Sequence, residues 1–115
     1  MKFHLLIVTL LVSFTAPQCS KTKKENPSTC IEQKINEIKK EQKWNPPATV
    51  DEYMYNGKTV YLFSSDCCDQ YNMVYDSDCN YVCAPSGGIT GKGDSKCEDF
   101  NTTAKHIRLV WKDER

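Results

Sequence analysis

The chain has 115 residues, and its 15 Lys and Arg are balanced by 15 Asp and Glu, so the formal net charge is zero. That balance gives no electrostatic reason to expect a nucleic acid or an anionic surface as partner. Seven cysteines in so short a chain point instead to a small domain held together by covalent bridges.

Met1 to Gln18 reads as a signal peptide. Lys2 gives a positive start, and the apolar run from Leu5 to Val12 has the length of a signal core, far too short for a bilayer. No later segment is apolar enough to cross a membrane, so an exported, non-integral protein is expected. Ala16-Pro17-Gln18-Cys19 places a cysteine where a bacterial lipoprotein carries its acylated residue, although Gln18 stands where a small residue is usual. On that reading Cys19 is lipidated and residues 19–28 form a hydrated tether; the alternative is cleavage after Ser20 and a free chain. The expected location is the cell envelope, periplasmic or outer-membrane associated, with free secretion as the alternative.

Either reading sets Cys19 aside and leaves six cysteines: Cys30, Cys67, Cys68, Cys79, Cys83 and Cys97. An even count in a short exported chain predicts three disulfides, with the connectivity open. Cys67 and Cys68 are expected to leave in different directions, because bridged Cα atoms usually lie farther apart than neighbours do. Residues 29–115 are read as one domain. It is small enough that bridges worth about 2–4 kcal/mol each matter.

In chain order, Thr29 and Glu32 have the spacing of a capping box and open a helix. Ile31, Ile35 and Ile38 form its narrow apolar stripe, Lys39, Lys40 and Lys43 suit its C-terminal end, and Asn45-Pro46-Pro47 stops it. Cys30 is placed to staple this helix to the cysteine-rich region. Asn56-Gly57 then joins two β-rich runs in a two-residue hairpin. That turn sets Tyr55 opposite Lys58, Tyr53 opposite Val60 and Asp51 opposite Leu62. The second run is apolar on both faces and should be central. Met73 to Tyr75 and Tyr81 to Cys83 read as short strands around a turn, Pro85 to Asp94 as a glycine-rich loop. Ala104 to Lys112 alternates, with Ile107, Leu109 and Trp111 on one face, as a half-buried strand should.

The stretches CCDQYN, YDSDCNYVCAPSGGITGKGD, KCEDF and the late WKD together resemble a family of small bacterial envelope lipoproteins of the Bacteroidetes type. Its members carry a cysteine-rich domain of unknown function, and the likeness runs from about Cys30 onward. The resemblance implies an envelope location and a compact disulfide-rich fold; it implies no activity.

Familiar catalytic motifs fail on inspection. Counting a phosphate-binding loop from Gly88 reaches Gly93 and then Asp94, where lysine is required. Asp76, Asp78 and Asn80 match the first side-chain ligands of a calcium loop, but Tyr81 and Gly87 occupy the positions of its glycine and glutamate. A polar turn is the better reading, leaving Asp76, Asp78 and Asp94 as weak cation candidates and no metal assigned. His4 leaves with the signal, so zinc would have only His106 to add to the cysteines. Cys79 and Cys83 are separated by three residues, which is not a C-x-x-C pair.

The sequence therefore predicts an α+β fold: one N-terminal helix on an antiparallel sheet of four or five strands, stapled by disulfides. It predicts a non-catalytic envelope module without cofactor, whose partner is an unidentified protein or small ligand. Residues 85–99 would be its contact surface, because loops on rigid scaffolds commonly carry recognition. Within them Gly87, Gly88, Gly91, Gly93 and Asp94 are the candidate binding residues, with a loop built only for the fold as the plainer reading. Two rivals are a periplasmic thiol/disulfide redox protein using Cys67 and Cys68, and an inhibitor of an exported hydrolase.

Overall fold

The computed structural model describes residues 13, 15–17, 26–67 and 69–115. Most of the expected signal peptide, Cys19, most of the tether and Cys68 lie outside the described residues. Among those described, no helix is long and apolar enough to cross a membrane.

Helix α1 spans Thr29–Lys40. The Ser28 hydroxyl accepts from the Ile31 amide at 3.4 Å, so the cap falls one residue before the expected Thr29, and the Thr29–Glu32 capping box does not form. Glu32 still lies in the first turn, where its charge suits the helix dipole. Ile31 and Ile35 are buried and Ile38 half-buried, giving the narrow stripe read from the sequence. The helix ends at Lys40, well before Pro46, so Lys43 lies beyond it. A distant residue accounts for the early stop: the Arg115 guanidinium donates to the carbonyls of Lys39 (2.7 Å) and Glu41 (3.0 Å). It satisfies acceptors that every helix end leaves open.

The sheet contains β1 (Thr49–Tyr55), β2 (Lys58–Phe63), β3 (Tyr71–Asp76), β4 (Tyr81–Gly87) and β5 (Lys105–Lys112). All pairings are antiparallel, in the order β4-β3-β2-β1-β5. The β1–β2 register is the one the two-residue turn dictates, from Tyr55 opposite Lys58 to Val50 opposite Phe63. Asn56 and Gly57 both take positive φ, as that turn requires. Apolar on both faces, β2 is the central strand.

Three expectations need correction. β4 runs on through Pro85 and Ser86 to Gly87, so the first residues of the expected loop are strand. Proline is tolerated there because β4 is an edge. A single helical turn, α2 (Phe100–Thr103), follows the loop. In β5, Val110 and Ile107 are extra residues opposite β1, two bulges that break the strict alternation. Val110 and Trp111 consequently pack together against the α1 side, whereas Ile107 and Leu109 are exposed.

Each face of the sheet has its own core and its own disulfide. On one face α1 presses Ile31 and Ile35 onto Val50, Tyr61 and Phe63. Cys30–Cys79 joins the helix to the β3–β4 turn on that side. On the other face Tyr55, Val60, Val74 and Cys83 pack with Cys97 and Phe100, and Cys83–Cys97 ties β4 to the segment entering α2. The Tyr55 hydroxyl donates to Asp99 at 2.7 Å, fixing the same segment to β1.

The chain then returns to α1. Asp113 is 2 % exposed and accepts three hydrogen bonds from Arg115, at 2.9 Å from Nε, 2.6 Å from Nη2 and 3.2 Å from the backbone amide. Those bonds keep the Asp113 carboxyl at about 2, below its ordinary 3.8. The folded value is the lower one, so the unfolded chain takes up the proton first as pH falls. The clasp's contribution is therefore complete above pH 4 and disappears as pH drops toward 2. An acid titration followed by circular dichroism should show Asp113→Asn with a flatter loss of structure across this window than the parent. Superimposable acid limbs would mean that the clasp adds no pH-dependent stability.

Candidate functional site

The glycine-rich loop folds back on the scaffold. Gly88 N–H donates to Gln70 (3.1 Å), Gly93 N–H to Gly87 (3.0 Å) and Asp94 N–H to Ala84 (3.0 Å), all to backbone oxygens. At Gly87 and Gly93, φ is +83° and +78°, and an added Cβ would stand 2.2 Å from the Gln70 oxygen and 1.9 Å from the Ala84 oxygen. Only glycine meets both demands. Gly88 is buried against the Tyr71 ring. Asp94 accepts the Tyr81 hydroxyl and, at 3.0 Å, the Lys96 amide. Burial and Asp94 together push Tyr81 up to about 12. Burial works to raise the Asp94 carboxyl, but these donors hold it below its ordinary value.

Of the five candidate residues, Gly87, Gly88, Gly93 and Asp94 thus fasten the loop, and only Gly91 has open space around it. What the loop offers outward is a residue the sequence reading passed over. Ile89 is 94 % exposed, with Thr90, Gly91 and Lys92 exposed beside it. The available signal was its position as the one large apolar side chain between Gly88 and Gly93.

The acidic candidates are dispersed in their duties. Asp76 accepts from the amides of Asp78 and Asn80, each at 2.9 Å, and from the Asn80 side chain at 3.1 Å, so it organises the β3–β4 turn. Although burial opposes it, these bonds hold the Asp76 carboxyl low. Asp78 is exposed in the same turn. Among the described residues no group of three His, Cys, Asp or Glu is placed to hold a metal ion.

Among the described residues, four cysteines form two disulfides, Cys30–Cys79 and Cys83–Cys97. Cys67 is exposed in the β2–β3 connection, and its neighbour Cys68 lies outside the described residues. His106 belongs to the β5 edge, where its ring lies 2.9 Å from Asp51 and packs edge-on against Tyr53.

The structure also brings together a pocket of about 270 Å³ that no motif announced. It lies between α1 and the ends of β2 and β3. Ile38, Phe63, Met73 and Tyr75 are among its apolar lining, with Trp44 and Tyr71 alongside. The Phe63 and Tyr75 rings meet edge to face at 5.5 Å, and burial raises the Tyr75 hydroxyl above its ordinary value. These residues come from two separate stretches of chain, 34–44 and 63–75, so only the fold assembles them.

A family model described as Domain of unknown function (DUF6970) matches residues 36–113, more than half of the chain. The chain belongs to this family. The DUF6970 match starts inside α1 and reaches Asp113, so it takes in all five strands, both staples except Cys30, and the loop. No curated protein and no solved structure matches the chain. The Cys30–Cys79 and Cys83–Cys97 disulfides of this DUF6970 domain suit a non-cytoplasmic, oxidising compartment.

Proposed function

We propose that this protein is an exported, non-catalytic recognition module of the cell envelope, delivered by the signal at 1–18 and anchored through lipid on Cys19. Residues 85–99 are its contact surface, presented to an envelope protein. The supporting observation is the contrast within the loop: its base is fastened by backbone hydrogen bonds, Asp94–Tyr81 and Cys83–Cys97, while Ile89 stands out into solvent. A loop ordered before binding loses little conformational freedom when it docks, which favours recognition. An exposed apolar side chain on such a support serves as an anchor for a complementary pocket.

The test is a photo-crosslinking amino acid placed at position 89, and separately at the exposed hairpin residue Lys58, in the full-length chain in its native cells. Position 89 should give one discrete adduct that Lys58 does not; excess parent protein should abolish that adduct, and excess Ile89→Asp should leave it in place. No adduct at 89, or the same adducts from both sites, would rule the loop out as the contact surface. Intact mass of the mature protein reads the anchor directly: a diacylglyceryl increment on Cys19 supports it, and an unmodified chain starting after Ser20 removes it.

A further inference from the structure

The pocket beside α1 borders the base of the loop through Gln70 and Tyr71, yet it has a chemistry of its own. Two charged side chains line it, Lys34 and Glu37. Glu37 already has a cation beside it, its carboxylate 2.7 Å from the Lys40 ammonium. Lys34 has no carboxylate partner among the described residues; its ammonium rests 4.0 Å from the centre of the Tyr75 ring. A cation on a ring face keeps its full charge and its donors, and a carboxylate offers it a stronger, charge-assisted bond.

The neighbouring polar atoms are mostly committed elsewhere. The Tyr75 hydroxyl donates to the Met73 sulfur at 3.0 Å, and the Trp44 indole N–H donates to Glu41 at 3.0 Å. These aromatic residues therefore offer the cavity chiefly apolar surface. Ser65 and Gln70 add a hydroxyl and a carboxamide to its lining. At about 270 Å³ the cavity falls just below the usual range for drug-sized ligands, about 300–1,000 Å³. It suits a compact molecule.

From this arrangement we infer that the pocket binds a small carboxylate with an aromatic or branched apolar body. The carboxylate pairs with Lys34, and the body lies against Ile38, Phe63 and Met73. A cationic ligand would be repelled by Lys34 and would compete with Lys40 for Glu37. A neutral polyol would leave the unpaired ammonium without a counter-charge.

The experiment uses the oxidised protein and three probes of one shape: 3-phenylpropionate, its amide and 3-phenylpropylamine. Binding is followed by the backbone and indole signals in a two-dimensional NMR titration. We expect the acid to shift Trp44, Tyr71 and the Lys34 region saturably, with the amide at least about tenfold weaker and the amine weaker still. Lys34→Gln should weaken the acid about tenfold while its spectrum stays folded, and Lys39→Gln, which alters the lysine beside Trp111, should not. Equal binding of acid and amide, an unaffected Lys34→Gln variant, or no saturable shift in this region each overturns the inference. None of these outcomes depends on Ile89.

Discussion

Phe100→Ala should lower the unfolding free energy by about 3–5 kcal/mol, as truncation of a buried phenylalanine does. The residue is 2 % exposed, and its ring lies 5.1 Å from both Tyr53 and Tyr55. Because α2 is one turn long, it holds its place by this side chain and not by its own hydrogen bonds. Removing the ring takes away the cover over Tyr55 and Val60 and leaves a void that one turn cannot close. A domain of this size has a total stability of roughly 4–13 kcal/mol, so the variant should be marginal or unfolded at 37 °C. Urea unfolding provides the check, with Phe100→Leu as a milder control. A loss below about 1 kcal/mol would mean that the α2 layer is not part of the cooperative core.

The two disulfides should differ in a way that burial alone would reverse. Cys30–Cys79 closes a separation of 49 residues and Cys83–Cys97 one of 14. If the bridges act mainly on the unfolded chain, the first is worth about 4 kcal/mol and the second about 3 kcal/mol. Cys83 and Cys97 are nevertheless the buried pair. Paired alanine substitutions compared by urea unfolding should therefore show Cys30→Ala/Cys79→Ala as the more destabilised. The opposite order would mean that native packing around the sulfurs outweighs the entropy of the open chain.

The hairpin was legible to the residue because a two-residue Asn-Gly turn leaves one register, and an apolar strand on both faces must be central. Helix α1 was legible from its isoleucine stripe, but its ends were not. Local signals placed the cap at Thr29 and the stop near Pro46, while Ser28 and the distant Arg115 decide them. The bulges in β5 escaped for the same reason: alternation in one strand says nothing about the partner it must fit. At the candidate sites the glycines were conspicuous by composition, yet their demanding φ and close approaches serve the fold. Ile89 is exposed because its neighbours are fastened, and the Lys34 pocket exists because two separate stretches of chain meet. Neither is a pattern along the chain.

The strand order has a bearing on self-association. An uncovered sheet edge invites another chain to add a strand. Here one edge, β4, is overlain by its own loop through the Gly87–Lys92 bridge and the Asp94–Ala84 hydrogen bond. The other edge, β5, is kinked by two bulges and bounded by Lys105 and Lys112. A neighbouring molecule approaching with an extended segment meets a plugged border on one side and a crooked, charged one on the other. At high local concentration, such domains are protected from stacking into continuous sheets.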